Sequence, residues 1–281
     1  MEKSRPETIP LGKSVNLQGE SPRLKPSEHS VFRRMIGRLM YLTTATRPDI
    51  QYAVNTLSQH LAKPCEVHYK AAKHVLRYIR GTVDFCLSYM KHRDSGSRRP
   101  KLYGYVDSSH ANDRGAKSTS GILFYIDGID ISRRNEDIGN KTPLRPGTNG
   151  SSPISWSSRK QPVVAHSSTE AEYIALAEAA KQAIWLRHLL HCLRKNDLYR
   201  HKPTPLLEDN QGAIALSDNA VYHPRTKHIS VRYHAVREFK DKREISTVYW
   251  PTDKMLADGL TKPLGRIQFG RLVEGLRLKG E

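Results

Sequence analysis

HSSTEAEYIAL, His166–Leu176, reads as the opening of a long helix and carries two glutamates two residues apart. The helical pattern continues to about Cys192. At about 100° per residue, Glu170 shares a side with Glu178, Lys181 and His188, the polar side. Glu172 shares a side with Ala175, Ala179, Ala183, Leu186 and Leu190, the apolar side that must lie on a sheet. A carboxylate at the top of a buried stripe is costly unless something pairs with it. Capping is the structural alternative: Thr169 with Glu172 fits a capping box, and so does Ser167 with Glu170. The wheel favours Glu170 as the cap residue and leaves Glu172 for chemistry.

The surroundings of this helix define the fold class. KLYGYVDSS (101–109), TSGILFYID (119–127) and PISWSSRKQPVV (153–164) read as three strands of an antiparallel meander. A polar, turn-rich stretch separates the second from the third and predicts a long loop over 129–152. After the helix come a strand TPLLED, a short helix NQGAIALSD, a helical VRYHAVREFKDK, a strand ISTVYW and a final helix near Asp253. This order predicts an α/β domain with one mixed five-stranded sheet flanked by helices.

Three further carboxylates occupy comparable places. Asp107 nears the end of the first strand, Asp209 ends the strand LLED, and Asp258 sits in MLADGLTKPL on the last helix. Taken singly each has a plain explanation: Asp209 could cap the helix opening at Asn210, and Asp258 could be solvated. Converged at one end of a sheet, such carboxylates repel and require a cation. Oxygen ligands without a Cys or His pattern select Mg²⁺ or Mn²⁺. Two such ions about 4 Å apart suit hydrolysis of a phosphodiester.

The bulk chemistry agrees. The 281 residues carry a net charge of +18, spread along the chain, which points to nucleic acid as partner. No apolar run reaches the ~18 residues of a membrane span. The start of the chain lacks the apolar segment of a secretion signal. Three scattered cysteines argue against disulfides or a zinc ribbon. Residues 1–28 are rich in Pro, Ser and charge and read as a flexible segment, and a mainly helical region follows over 29–95. Within it Lys70, Lys73, Arg77 and Arg80 form one stripe, either a rail for a phosphate backbone or a solvated face.

GYVDSSHA, STSGILFY, PISWSSRKQPVVAHSSTEAEYIALAEA, LEDNQGAIAL, HPRTKHISVRYHAVREF and ADGLTKPL resemble, in this order, the ribonuclease H domain of Ty1/copia-type retrotransposon polyproteins. The upstream FRRMIGRLMYLTTATRPDIQYAVNTLSQHLAKPCEVHYKAAKHVLRYIRGT resembles the region that follows the polymerase palm in the same polyproteins. The resemblance implies a ribonuclease H-like domain over 100–265 with an inserted loop 129–152, and a C-terminal tail over 266–281. It implies cleavage of the RNA strand of RNA–DNA hybrids at an Asp107, Glu172, Asp209, Asp258 site holding two Mg²⁺ or Mn²⁺ ions. Ser108, Ser109, Asn210 and Gln211 then border the reacting strand, and His228 and Arg232 fall in a block near the hybrid. The remaining polymerase portion of a polyprotein is the implied protein partner. The implied setting is cytoplasmic, in a virus-like particle, or nuclear.

Departures from the family pattern are visible. Ser109-His110 replaces the usual Asp-Trp, and Ser230 replaces an aspartate. No adjacent Asp-Asp pair occurs, so polymerase activity is not expected of this chain. A catalytically inactive remnant that binds nucleic acid is the alternative reading. An integrase-type nuclease is a third, disfavoured because its carboxylates usually fall on two strands and a late helix.

Overall fold

The structure, a computed structural model, describes residues 4–89, 101–110, 115–127, 151–194, 202–218 and 230–280. In chain order the main elements are α1 (Pro26–Ala45), α2 (Gln51–Ser58), α3 (Glu66–Gly81), β1 (Cys86–Leu87), β2 (Lys101–Ser109), β3 (Thr119–Asp127) and β4 (Ser152–Lys160). They continue with α4 (Ser168–Arg194), β5 (Thr204–Glu208), α5 (Gln211–Asp218), α6 (Ser230–Asp241), β6 (Ile245–Tyr249), α7 (Asp258–Thr261), α8 (Arg266–Gly275) and β7 (Leu278–Lys279). Two compact units result: residues 1–88 with 259–281, and residues 89–258. Nearly all of the loop expected over 129–152 lies outside the described residues.

In the first unit α1, α2 and α3 bury Phe32, Ile36, Leu39, Ile50, Val54, Leu57, Val75 and Tyr78. A buried polar network crosses this core. Arg47 donates from Nη2 to Asp49 Oδ2 at 2.8 Å and from Nη1 to the Thr82 carbonyl at 2.9 Å. The Tyr78 hydroxyl donates to Asp49 at 2.6 Å. Residues 1–28, expected to be flexible, bury Leu11 and Leu17. They are tied to α3 by His68 Nε2 at the Leu17 carbonyl (2.8 Å) and His74 Nε2 at the Ile9 carbonyl (3.0 Å). The expected tail, 266–281, contains α8 and β7. Phe269 of α8 meets the Tyr78 ring edge-on at 5.5 Å, and β7 pairs with β1. Apolar residues at helical spacing, Phe269 and Leu272, are the physical reason a helix forms there.

The second unit is built on a sheet of order β4-β3-β2-β5-β6. β2, β3 and β4 form the antiparallel meander, and β5 and β6 join in parallel to β2. β2 lies at the centre, so both faces of the strand are covered. Leu102 and Val106 pack with Tyr173, Leu176, Ala179, Ala180 and Ala183 of α4. Tyr103 stacks on Tyr125 at 5.4 Å, and Tyr105 meets Trp250 edge-on at 6.0 Å. Gly104 is opposite Phe124 in register, and a Cβ on it would lie 2.7 Å from the Phe124 ring, so only glycine fits.

The run of alanines gives α4 a flat face that lies close to the sheet. The helix differs from its wheel in one respect: Glu170 to Ala177 are all buried, Glu170 included. The cause is enclosure from several directions, since α4 contacts β2, β3, β5, α5 and α6. Its first turns are held by Gln161, whose Nε2 donates to the Ala171 carbonyl at 2.9 Å and to Ser120 Oγ at 3.0 Å.

Candidate metal centre

Three chain segments far apart in sequence deliver carboxylates to one place. Asp107 stands two residues before the end of β2, Glu172 in the second turn of α4, and Asp209 directly after β5. One oxygen from each lies within 4.8 Å of the others. Asp107 and Glu172 are buried, at 3% and 7% exposure, and Asp209 is half-buried.

Local capping decides which acidic groups remain for this site. The Glu170 N–H donates to Ser167 Oγ at 3.1 Å, and Glu170 Oε2 accepts the His166 N–H at 2.8 Å. Glu170 is therefore the cap residue of α4, and Glu172 is not. At α5 the cap is Asn210, whose Oδ1 accepts the Ala213 N–H at 3.0 Å. Asp209 is thus released from the capping role open to it in sequence. Gly212 allows the start of α5 to approach Thr169, since a Cβ there would lie within 3.1 to 3.2 Å of that side chain.

The electrostatics at Glu172 favour a bound cation. Burial, then the carboxylates of Glu208, Asp107 and Asp209, raise the pKa of Glu172 far above the ordinary glutamate range. Its Oε2 is buried and accepts no hydrogen bond. An orphaned buried oxygen in an all-oxygen carboxylate set fits a hard divalent cation. A group whose folded pKa is raised contributes stability below its unfolded value, about 4.3, and loses it as pH rises towards the folded value. The cation-free protein is therefore expected to weaken as pH climbs above that value. A divalent cation should restore stability, and by more at higher pH. Thermal melts with chelator or divalent cation across pH check this; melts indifferent to both would count against a cation here.

The remaining expected residues divide. Asp258 opens α7, after the buried Met255, Leu256 and Ala257, and is not one of the three whose oxygens converge. Ser108 is buried and Ser109 half-buried at the end of β2. Asn210 is half-buried with its Oδ1 engaged in the cap, and Gln211 is exposed at the start of α5. His110 is hydrogen-bonded to the Ala165 carbonyl at 3.2 Å, linking the exit of β2 to the entry of α4. His228 lies outside the described residues, and Arg232 falls in α6 with its side chain outside them. In the other unit the basic stripe has partners of its own. Lys70 pairs with Glu66 at 3.1 Å, Lys73 lies 4.3 Å from the Tyr69 ring centroid, Arg77 pairs with Glu7 at 3.0 Å, and Arg80 donates to the Ser4 carbonyl.

Sequence reading missed Glu208. It is fully buried at the end of β5, its pKa raised well above the ordinary value by burial, with the Asn210 N–H opposing and Asp107 and Asp209 adding to the rise. The available signal was the apolar pair Leu206-Leu207, which points to opposite faces of β5 and marks both as covered up to the strand end.

The centre thus lies on a five-stranded sheet of order β4-β3-β2-β5-β6, with carboxylates on its central strand, on its long helix and directly after β5. No family model matches the chain. It is 35% identical over 275 residues to the retrovirus-related Pol polyprotein from transposon TNT 1-94 of Nicotiana tabacum, covering 96% of this chain and 18% of that protein. It is 36% identical over 267 residues to the Pol polyprotein from transposon RE1 of Arabidopsis thaliana, covering 95% and 16%. Strong homologues of the chain are thus retrovirus-related Pol polyproteins of Ty1/copia-type transposons. It spans less than a fifth of the length of these curated relatives. Among solved structures, that of LC11-RNase H1 in complex with an RNA/DNA hybrid aligns with 57% of this chain and 94% of its own, at 16% identity and a TM-score of 0.36. Among the described residues no helix is long and apolar enough to cross a membrane.

Proposed function

We propose that the unit spanning residues 89–258 hydrolyses the RNA strand of RNA–DNA hybrids with Mg²⁺ or Mn²⁺. The carrying observation is the convergence of Asp107, Glu172 and Asp209 within 4.8 Å, with a buried Glu172 oxygen left without a hydrogen bond. These three carboxylates would hold two cations, with Asp258 as a fourth ligand by the family pattern. The cations, when bound, supply Lewis-acid polarisation of the phosphate and neutralise charge on it. Asp107 and Glu172 are rigid, anchored in a central strand and a buried helix, so the ligand set needs little reorganisation. Ser108, Ser109, Asn210 and Gln211, at the strand end and helix start, border the reacting strand and discriminate at the 2′-hydroxyl. By the family resemblance alone, His228 and Arg232 are counted with the hybrid-binding residues. In the polyprotein this domain follows the polymerase, in a cytoplasmic virus-like particle or in the nucleus.

The test is a parallel digest of one sequence as RNA–DNA hybrid, duplex RNA and duplex DNA. Cutting confined to the RNA of the hybrid, and dependent on the cation, is expected. Equal cutting of duplex DNA would favour an integrase-type nuclease. A folded protein that binds the hybrid and cuts nothing would be the inactive remnant.

Lys70, Lys73, Arg77 and Arg80 extend the same reading to the helical unit as a phosphate-binding stripe. Replacing all four with alanine should flatten the log–log salt dependence of hybrid affinity by about 0.9 for each phosphate that the stripe neutralises. An unchanged slope in a salt titration would leave the stripe to its intramolecular partners.

A further inference from the structure

Glu208 is the one fully buried carboxylate beside the candidate cation site, among the described residues, that the ligand set does not use. Its exposure is 0%. It ends β5, the residue before Asp209, and one of its oxygens, Oε1, accepts the Asn210 N–H at 3.2 Å. The other, Oε2, is buried and accepts no hydrogen bond. The same is true of Glu172 Oε2. The main chain at Glu208 is pinned as well, since its carbonyl accepts the Trp250 N–H at 2.8 Å. A neutral glutamine could accept the same backbone N–H, so the turn alone does not require a glutamate. Burying a further negative charge next to three others is unfavourable unless a cation answers all of them.

We propose that Glu208 is a positioning residue of the cation site, a fourth acidic group that acts through Asp209 and Glu172 to deepen the negative field in which the cations sit. The inference rests on the reading of Asp107, Glu172 and Asp209 as the cation ligands. Groups just outside a metal's ligand shell commonly change its affinity by about 10- to 100-fold when removed. Glu208 has two effects in this scheme. Oε1 holds the turn that presents Asp209, and the carboxylate charge raises the pull of the site on a divalent cation.

The test titrates Mn²⁺ alone into the full chain by calorimetry, without nucleic acid, alongside melts of the cation-free protein. Glu208→Gln keeps shape and the Asn210 hydrogen bond but removes the charge. It should weaken Mn²⁺ binding about tenfold with a cation-free melt close to that of the parent. Glu208→Asp keeps the charge and should retain affinity better than Glu208→Gln. Glu172→Gln, removing a ligand, should weaken binding far more than either. Glu208→Gln binding Mn²⁺ like the parent, while Glu172→Gln does not, would overturn the role of Glu208 and leave the site standing. Equal weakening by Glu208→Asp and Glu208→Gln would show that shape matters and charge does not, and would also overturn it. Undiminished binding by Glu172→Gln would remove the site itself, and the inference with it.

Discussion

Glu172→Gln is expected to abolish most hybrid cleavage, a loss of at least about 10²–10³, the scale of deleting one preorganised charged group from an active site. The fold should be kept, because glutamine fills the same buried space against the alanine face of α4. Glu170→Gln, two residues away, should do the opposite. It perturbs a cap, in which Glu170 accepts the His166 N–H, so it should cost at most about 1 kcal/mol and leave cleavage largely intact. Single-turnover cleavage with thermal melts on both variants separates the two roles. A dead Glu170→Gln beside an active Glu172→Gln would exchange them.

The largest stability effect should come from the other unit. Arg47→Ala removes the guanidinium that pairs with Asp49 at 2.8 Å, where the Arg47 side chain is 5% exposed and that of Asp49 0%. Asp49 would keep the Tyr78 hydroxyl and lose its counter-charge. Breaking a buried pair from one side costs about 3–5 kcal/mol, because a charge is left uncompensated. Removing both partners should cost less than removing Arg47 alone. Denaturant unfolding of the two single variants and the double variant measures this. A loss below about 1 kcal/mol for Arg47→Ala would mean the pair is no stronger in effect than one on the surface.

Much of the second unit was readable in the chain. Runs rich in β-branched and aromatic residues, KLYGYVDSS and TSGILFYID, gave both strands with their observed ends, and the short TPLLED gave β5 to within one residue. Capping spacing fitted Glu170 and Glu172 alike, and it was the wheel that gave the cap to Glu170, where the hydrogen bonds of Ser167 and Glu170 place it. What failed was inference from a single periodicity. The wheel put Glu170 on an open side, whereas Gln161 and the start of α5 close on the first turns of α4 from directions that no local pattern encodes. Glu208 escaped because its own residue type reads as exposed, while the apolar pair before it marks the strand end as covered. In the first unit, the polar N-terminal residues looked free because their anchors, His68 and His74, are contributed by a helix dozens of positions later.

The alanine face of α4 has a consequence for how this domain can drift. Ala175, Ala179 and Ala183 set the separation between helix and sheet, and Glu172 rides on the helix while Asp107 rides on the sheet. The thickness of that seam is the gauge that brings the two carboxylates to ligand distance. A larger apolar side chain in the seam would look conservative in an alignment, yet would lever one carboxylate off the other without touching either. A chain carrying such a change would keep every acidic residue and still lose the geometry of the cation site.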